Sequence, residues 1–458
     1  MWSKTAALST RLADVFLAQL TGDGQNSYDD LPGQDELRES REDDPDGIRW
    51  QALLLAQHET LPRRVALALE QDRAPVVLDD GTKLPRDDAE RLLARKEETR
   101  AFLPLRRSLD RSDEGFRRRW QQEREHFDAH VDAVLDGATS SLPQPERAKE
   151  SLTVLVRDLA DACQEAKDIL ARAGHVDLET PASFARGIDL PDIAGFSEAT
   201  SRGLGRALRE AARPFGQRDL RAVKVPRLMG GLVVTAATGP IRIGHCFTSG
   251  AGRWLADVEA AGIGVGCTLF ASGRLTPALE DQAHVLGNAL ALLVDRPFLR
   301  RALLGEDSGS SEGRARITAA TRLLRTRIEA RVALALLEDP EREAVREHLA
   351  SFLGFDPPAS LLDGLSLPPW PGRRQMRVQA AALGARAMQR ALGARLALAL
   401  RDRFDEAAGI VAAPYEHLAG AKEALADGHL DIFGLFDVAY TEEAPGKALV
   451  AWSGELLS

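Results

Sequence analysis

Apolar residues recur at three- and four-residue spacing along most of this chain. The pattern is clear in IRWQALLLAQHETLPRRVALALEQ (48–71) and in SLTVLVRDLADACQEAKDILARAG (151–174), and it predicts amphipathic helices from Trp50 to about Arg213. The stretch PVVLDDGTKLP (75–85) breaks the period and predicts a short hairpin turning at Asp80-Gly81. A second change comes at Val223. VKVPRLMGGLVVTAATGPIRIGHCF (223–247) is β-branched with Gly and Pro punctuation, which predicts two or three short strands and the one convincing sheet. Helical periodicity returns after Arg253, with the longest helix expected from Gln375 to about Asp405.

The 458 residues leave room for two or three domains. Four segments are expected: an amphipathic N-terminal helix (1–20), an acidic linker (21–48), an N-terminal helical lobe (49–215), and a second lobe with the small sheet and further helices (216–458). Hydrophobic residues make up 44% and charged residues 28%, enough apolar surface for a sizeable core. The net charge of −10 argues against nucleic acid as the main partner, because phosphate binding needs a basic surface. The run Arg117, Arg118, Arg119 reads as a solvated helix face. Cys163, Cys246 and Cys267 are far apart, which excludes a Cys-x-x-Cys zinc knuckle. No window predicts a membrane span, and Arg11 and Asp14 interrupt the N-terminal apolar run, so the expectation is a cytoplasmic chain without a signal peptide.

The order of elements resembles the thimet-oligopeptidase and oligoendopeptidase-F family of zinc peptidases. The resemblance rests on Gly187, Asp189 and Leu190 within ARGIDLPDIAGF, on VDRPFLRRALLG (294–305), on RLLRTRIEARVALALLE (322–338), and on Arg401, Arg403 and Phe404 closing LALALRDRFD. It implies a mainly α, α-rich α+β fold: two helical lobes around a substrate channel with one small sheet. The family binds zinc through His-Glu-x-x-His, because residues i and i+4 share a helix face and the intervening glutamate can activate a metal-bound water.

On this chain the motif falls on ADVEAAGIGVG (256–266). Val258 and Gly262 stand at the histidine positions, while Glu259 keeps the glutamate. The next helix, QAHVLGNALALLVDRPF, offers no third ligand beyond Glu280 or Asp281. The positions matching the family's oxyanion-stabilising tyrosines fall near Ala382 and Arg386, and none of the chain's 3 tyrosines, Tyr28, Tyr415 and Tyr440, is there. The resemblance therefore implies a pseudo-peptidase with no metal and no cofactor. It would hold a peptide, such as a precursor peptide escorted to a modifying enzyme in a bacterial ribosomal-peptide pathway. Gly230, Gly231, Leu232, Val233 and Val234, within LMGGLVVTA (228–236), are the expected peptide-pairing edge.

Two other functions remain open on the sequence. One is an active hydrolase with a displaced site built from His245, Cys267 or His284 with Glu259. The other is an interaction scaffold using the helix from Leu8 to Leu20. His126 and His130 have metal-pair spacing but sit in a charged run, QQEREHFDAHVD, which reads as a solvated face. Gly262 to Gly266 (GIGVG) lacks the preceding strand of a dinucleotide loop and reads as a helix end with glycine caps, or a helix loosened where ligands once sat.

Overall fold

The computed structural model describes residues 99–135, 145–172, 220–224, 233–234, 241–245, 251–270, 277–296, 308–339, 342–353, 373–405, 432–436 and 445–457, with parts of 67–92. The N-terminal helix and acidic linker expected at 1–48, Gly230, Gly231, Leu232, Cys246 and all three tyrosines lie outside them. The described chain is mainly helical. In order it has β1 (Val76–Val77), β2 (Lys83–Leu84), α1 (Thr99–Leu135), α2 (Pro145–Asp158), α3 (Ala160–Arg172), β3 (Leu220–Lys224), β4 (Val233–Val234) and β5 (Ile241–His245). It continues with α4 (Ala251–Phe270), α5 (Pro277–Val294), α6 (Ser308–Glu338), α7 (Arg342–Leu353), α8 (Arg373–Asp405), α9 (Ile432–Leu435) and α10 (Pro445–Leu457). No described helix is long and apolar enough to cross a membrane.

One core joins most of these helices. Leu155, Leu159 and Leu170 of the α2–α3 stretch pack with Leu286 and Leu292 of α5, Leu323 and Leu336 of α6, Leu383 and Leu396 of α8, and Trp452 of α10. Helix α6 runs through the middle, and its buried threonine hydroxyls are satisfied within the helix. Thr318, Thr321 and Thr326 each donate their hydroxyl to the carbonyl one turn back, on Arg314, Ile317 and Arg322, at 2.6, 2.8 and 2.7 Å. The α2–α3 stretch lies antiparallel along α6. Lys149 Nζ meets Glu338 at 2.7 Å at one end, and Cys163 Sγ meets the Leu323 carbonyl at 3.5 Å further along.

A smaller core, Val76, Ala89, Leu105 and Leu109, lies under the β1–β2 hairpin. The hairpin turns at Asp80-Gly81, as the sequence predicts. Val76 pairs with Leu84 and Val77 with Lys83, and Gly81 takes the left-handed φ of 83° that glycine adopts without steric cost. The longest described helix is α1, with 37 residues against 33 for α8, which corrects the expectation for 375–405. The arginine run on α1 is matched by acids: Arg119 holds Glu70 through two bonds of 2.6 and 2.7 Å, and Arg117 and Arg118 face Asp110 and Glu114.

The strands at 220–245 form a mixed sheet in the order β3-β5-β4. β3 is parallel to β5, and β4 is antiparallel to it. Helix α4 follows the sheet directly and packs against it through a shared core that includes Ile241, Val233, Val258 and Val265.

Candidate functional site

Helix α4 carries the segment that resembles a degenerate zinc motif. It runs unbroken from Ala251 to Phe270, so the expectation that Gly262–Gly266 ends or loosens a helix is corrected. Each mid-helix glycine costs roughly 0.5–1 kcal/mol relative to alanine. The reason they stand here is the crossing with α5. A Cβ on Gly262 would overlap the Gly287 carbonyl, one on Gly266 would overlap the Ala283 carbonyl, and one on Gly287 would overlap the Ile263 backbone. The two backbones touch where larger residues would hold them apart. α8 closes from another side, because a Cβ on Gly393 would meet Asn288 Cβ at 2.7 Å. Val258, one turn before Gly262, is buried in the same core.

Glu259 turns to α8 and α6. Both its carboxylate oxygens accept from Arg390, from Nε and Nη2, each at 2.9 Å. Arg390 Nη1 also donates to Glu329 on α6 at 2.5 Å. Arg322, two turns before Glu329 on the same helix, places Nε 3.6 Å from Glu259 and pairs with Asp295 just beyond α5. One ionic network thus ties α4, α6, α8 and the end of α5 together inside the core. Burial opposes the charge on Glu259, but Arg390, Arg322 and the Arg390 hydrogen bonds outweigh it and hold the carboxyl below the usual range. Glu329 is lowered in the same way: burial resists, and Arg390, Arg386 and Arg325 prevail. For Arg390, burial favours loss of the proton, but the two glutamates hold its pKa above the ordinary arginine value.

The other described residues singled out in the sequence do not converge on Glu259. Gly262 lies opposite Gly287 and Gly266 opposite Ala283, so the helices run antiparallel. At a rise of 1.5 Å per residue, Cys267 lies about 12 Å along α4 from Glu259, and Asp281 is displaced by about 13 Å along the same direction. His284 donates from Nδ1 to Gln389 Oε1 at 3.3 Å, and Gln389 Nε2 approaches Asp281 at 3.4 Å. Burial lowers the His284 pKa, with Gln389 and Asp281 acting against it. Arg386 is exposed on α8, and Ala382 lies on the same helix. His126 and His130 lie on α1 and His245 ends β5; the side chains of these three are outside the described set. Among the described residues, no three His, Cys, Asp or Glu side chains are placed to hold a metal ion.

The sequence reading missed Arg390, Arg322, Glu329 and Asp295. A signal was present for two of them: Arg322 and Glu329 are seven apart within TRLLRTRIEARVALALL, where apolar residues surround them on every turn. Their partners are distant in sequence and left no local trace.

Neither described cysteine is poised as a nucleophile. Cys163 and Cys267 are both buried. Burial pushes the Cys163 thiol up to about 11, against a smaller opposing effect of Arg327 and Lys167. In a Cys246→Ser background, an aromatic disulfide reagent therefore labels the native chain slowly, with both thiols reacting together as urea unfolds it. Rapid labelling of either thiol in the native state would contradict this placement.

The chain matches no protein-family model, and no curated protein matches it.

Proposed function

We propose that this protein is a catalytically inactive relative of the thimet-oligopeptidase group that holds an extended peptide. In this reading two helical lobes bound a channel, and the peptide lies along the outer edge of β4. The protein then serves as an escort, presenting a precursor peptide to a separate modifying enzyme. The observation that carries the reading is the state of Glu259. A general base needs a free lone pair and a pKa near the working pH. Glu259 has both oxygens engaged by Arg390 and a carboxyl held low. The positions where histidines would stand support it as well, since Val258 is core and Gly262 touches the backbone of α5.

Peptide holding draws support from β4. Among the described strands it pairs with β5 alone, and a peptide strand added on its other side would extend the sheet. Strand addition recognises backbone, so it tolerates varied sequences and needs no metal. The test is selection of binders from a random peptide pool, followed by N-methylation of the best binder one residue at a time. Consecutive N–H groups of an added strand point alternately to and from the edge. Affinity is expected to fall at every second position and to hold between them. Uniform sensitivity would overturn edge pairing, and a pool that yields no binder would favour the scaffold reading.

A further inference from the structure

Helix α10 is buried on one side and weakly built. Gly446, Leu449, Trp452, Ser453 and Leu457 recur at three- and four-residue spacing and are buried, while Lys447, Ala451, Gly454 and Glu455 are exposed. The helix packs against α2, α6 and α8. The fit is tight at its first turn, where a Cβ on Gly446 would come within 2.6 Å of Asp158 Cβ and 3.2 Å of Leu155 Cδ1. At 13 residues α10 has about the length at which an isolated helix is marginal in water, so its groove must supply the stability. Gly454 weakens it further, because a Cβ there would meet nothing and the glycine has no packing role.

The groove also leaves polar groups unmatched. Trp452 Nε1 and Ser453 Oγ on α10, and Asp158 Oδ2 on α2, are buried with no hydrogen-bond partner among the described residues. Trp452 and Ser453 are each 1% exposed. Arg296 lies over the Trp452 ring, its Cζ 5.9 Å from the centroid, and leaves the indole N–H unmet. Asp158 Oδ1 meets Arg157 Nη2 at 3.6 Å, and that arginine is largely exposed. Helix α6 gives the contrast, since Thr318, Thr321 and Thr326 each bond a carbonyl one turn back and Ser453 does not. A buried group without a partner has lost its water with nothing in return, and release from the groove restores it. The ion pair of Arg401 with Glu455 lies at the partly exposed rim, where such pairs add little.

We propose that α10 is a detachable helix, a plug built into the fold. It leaves as a unit while α2, α6 and α8 stay folded, and its release uncovers the apolar groove that Leu449, Trp452 and Leu457 fill. Such sub-global openings draw on the least stable elements of a structure, and a short helix with unmatched buried polar groups is one. The ionic network around Glu259 joins α4, α6, α8 and the end of α5, so it stays closed when α10 leaves. The proposal is independent of peptide holding at β4.

The experiment is native-state hydrogen exchange of the full-length chain, read by mass spectrometry at urea concentrations below the unfolding transition. The amides of α10 are expected to exchange together in one opening, on the order of tenfold or more faster than those of α6 and α8. Two variants identify that opening. Ser453→Ala removes an unmatched hydroxyl and is expected to slow exchange of α10 on the order of tenfold. Glu259→Gln weakens only the network that stays closed, so it is expected to speed exchange of α6 and α8 and to leave α10 unchanged. If Glu259→Gln does not fold, the natural chain and Ser453→Ala decide alone. Exchange of α10 only together with α6 and α8 overturns the proposal. So does a Ser453→Ala chain whose α10 opens as fast as the natural one or faster, because the hydroxyl would then have a partner.

Discussion

Restoring the zinc motif by Val258→His with Gly262→His is expected to give an unfolded chain and no zinc site. Position 262 has no room for a side chain, because even a Cβ overlaps the Gly287 carbonyl. The obstacle is backbone, which cannot rotate away as a flexible side chain would. Overpacking a close-packed core costs typically 1–3 kcal/mol for added methylenes, and an imidazole at a helix crossing exceeds that case. Position 258 adds a buried imidazole with no partner, at about 1–3 kcal/mol. Together these rival the 5–15 kcal/mol that holds an ordinary domain together. The milder Gly262→Ala isolates the crossing. Alanine is the better helix former by about 1 kcal/mol, so local propensity alone predicts a more stable protein. The expected result is a loss of about 2–3 kcal/mol in urea unfolding, since the overlap outweighs the propensity gain. A neutral or stabilising Gly262→Ala would mean that α4 and α5 are further apart.

Removing Arg390 is expected to cost on the order of 3–5 kcal/mol at neutral pH, because Arg390→Met leaves Glu259 and Glu329 buried without their shared cation. Glu259→Gln should cost less, about 2 kcal/mol, since Arg390 keeps Glu329 and Arg322 keeps Asp295. The pH dependence separates this from a packing defect. Both glutamates have folded pKa values below the ordinary 4.5. A depressed carboxyl stabilises the fold above its unfolded pKa, and that contribution is lost as pH falls through the folded value. In Arg390→Met, burial acts with that support removed, the carboxyls rise, and protonation relieves the strain. The gap between the two proteins is therefore widest at neutral pH and narrows as the pH approaches and passes below 4.5. A gap that stays constant across this range would show that the loss comes from packing alone.

Most of the helical frame was legible because amphipathic periodicity is a local property. Helices were expected to resume after Arg253, as α4 does from Ala251, and α8 stands at Arg373–Asp405 against the expected Gln375 to about Asp405; the Asp80-Gly81 turn follows from glycine's access to positive φ. The sheet was expected from β-branched runs, though β3 begins at Leu220, just before the expected onset at Val223. α1 was underestimated because Pro104, a residue that reads as a helix break, stands inside it; among its described side chains the buried apolar ones, Leu105 and Leu109, lie in the N-terminal third. The glycines of α4 were misread for a different reason. Glycine ends helices by local propensity, and only Gly287, far along the chain, turns Gly262 into a packing residue. Glu259 was identified as the position to examine, but its role was hidden. Nothing beside it in sequence announces Arg390, and the network becomes visible only when four chain segments meet.

The most direct test of the central claim is native mass spectrometry of the full-length chain, supplied with zinc and a random peptide pool. The account predicts protein–peptide complexes that release their peptides intact, with no zinc retained at one ion per chain. Stoichiometric zinc together with cleaved peptides would contradict it, and would show that the chain assembles a working metal site away from Glu259.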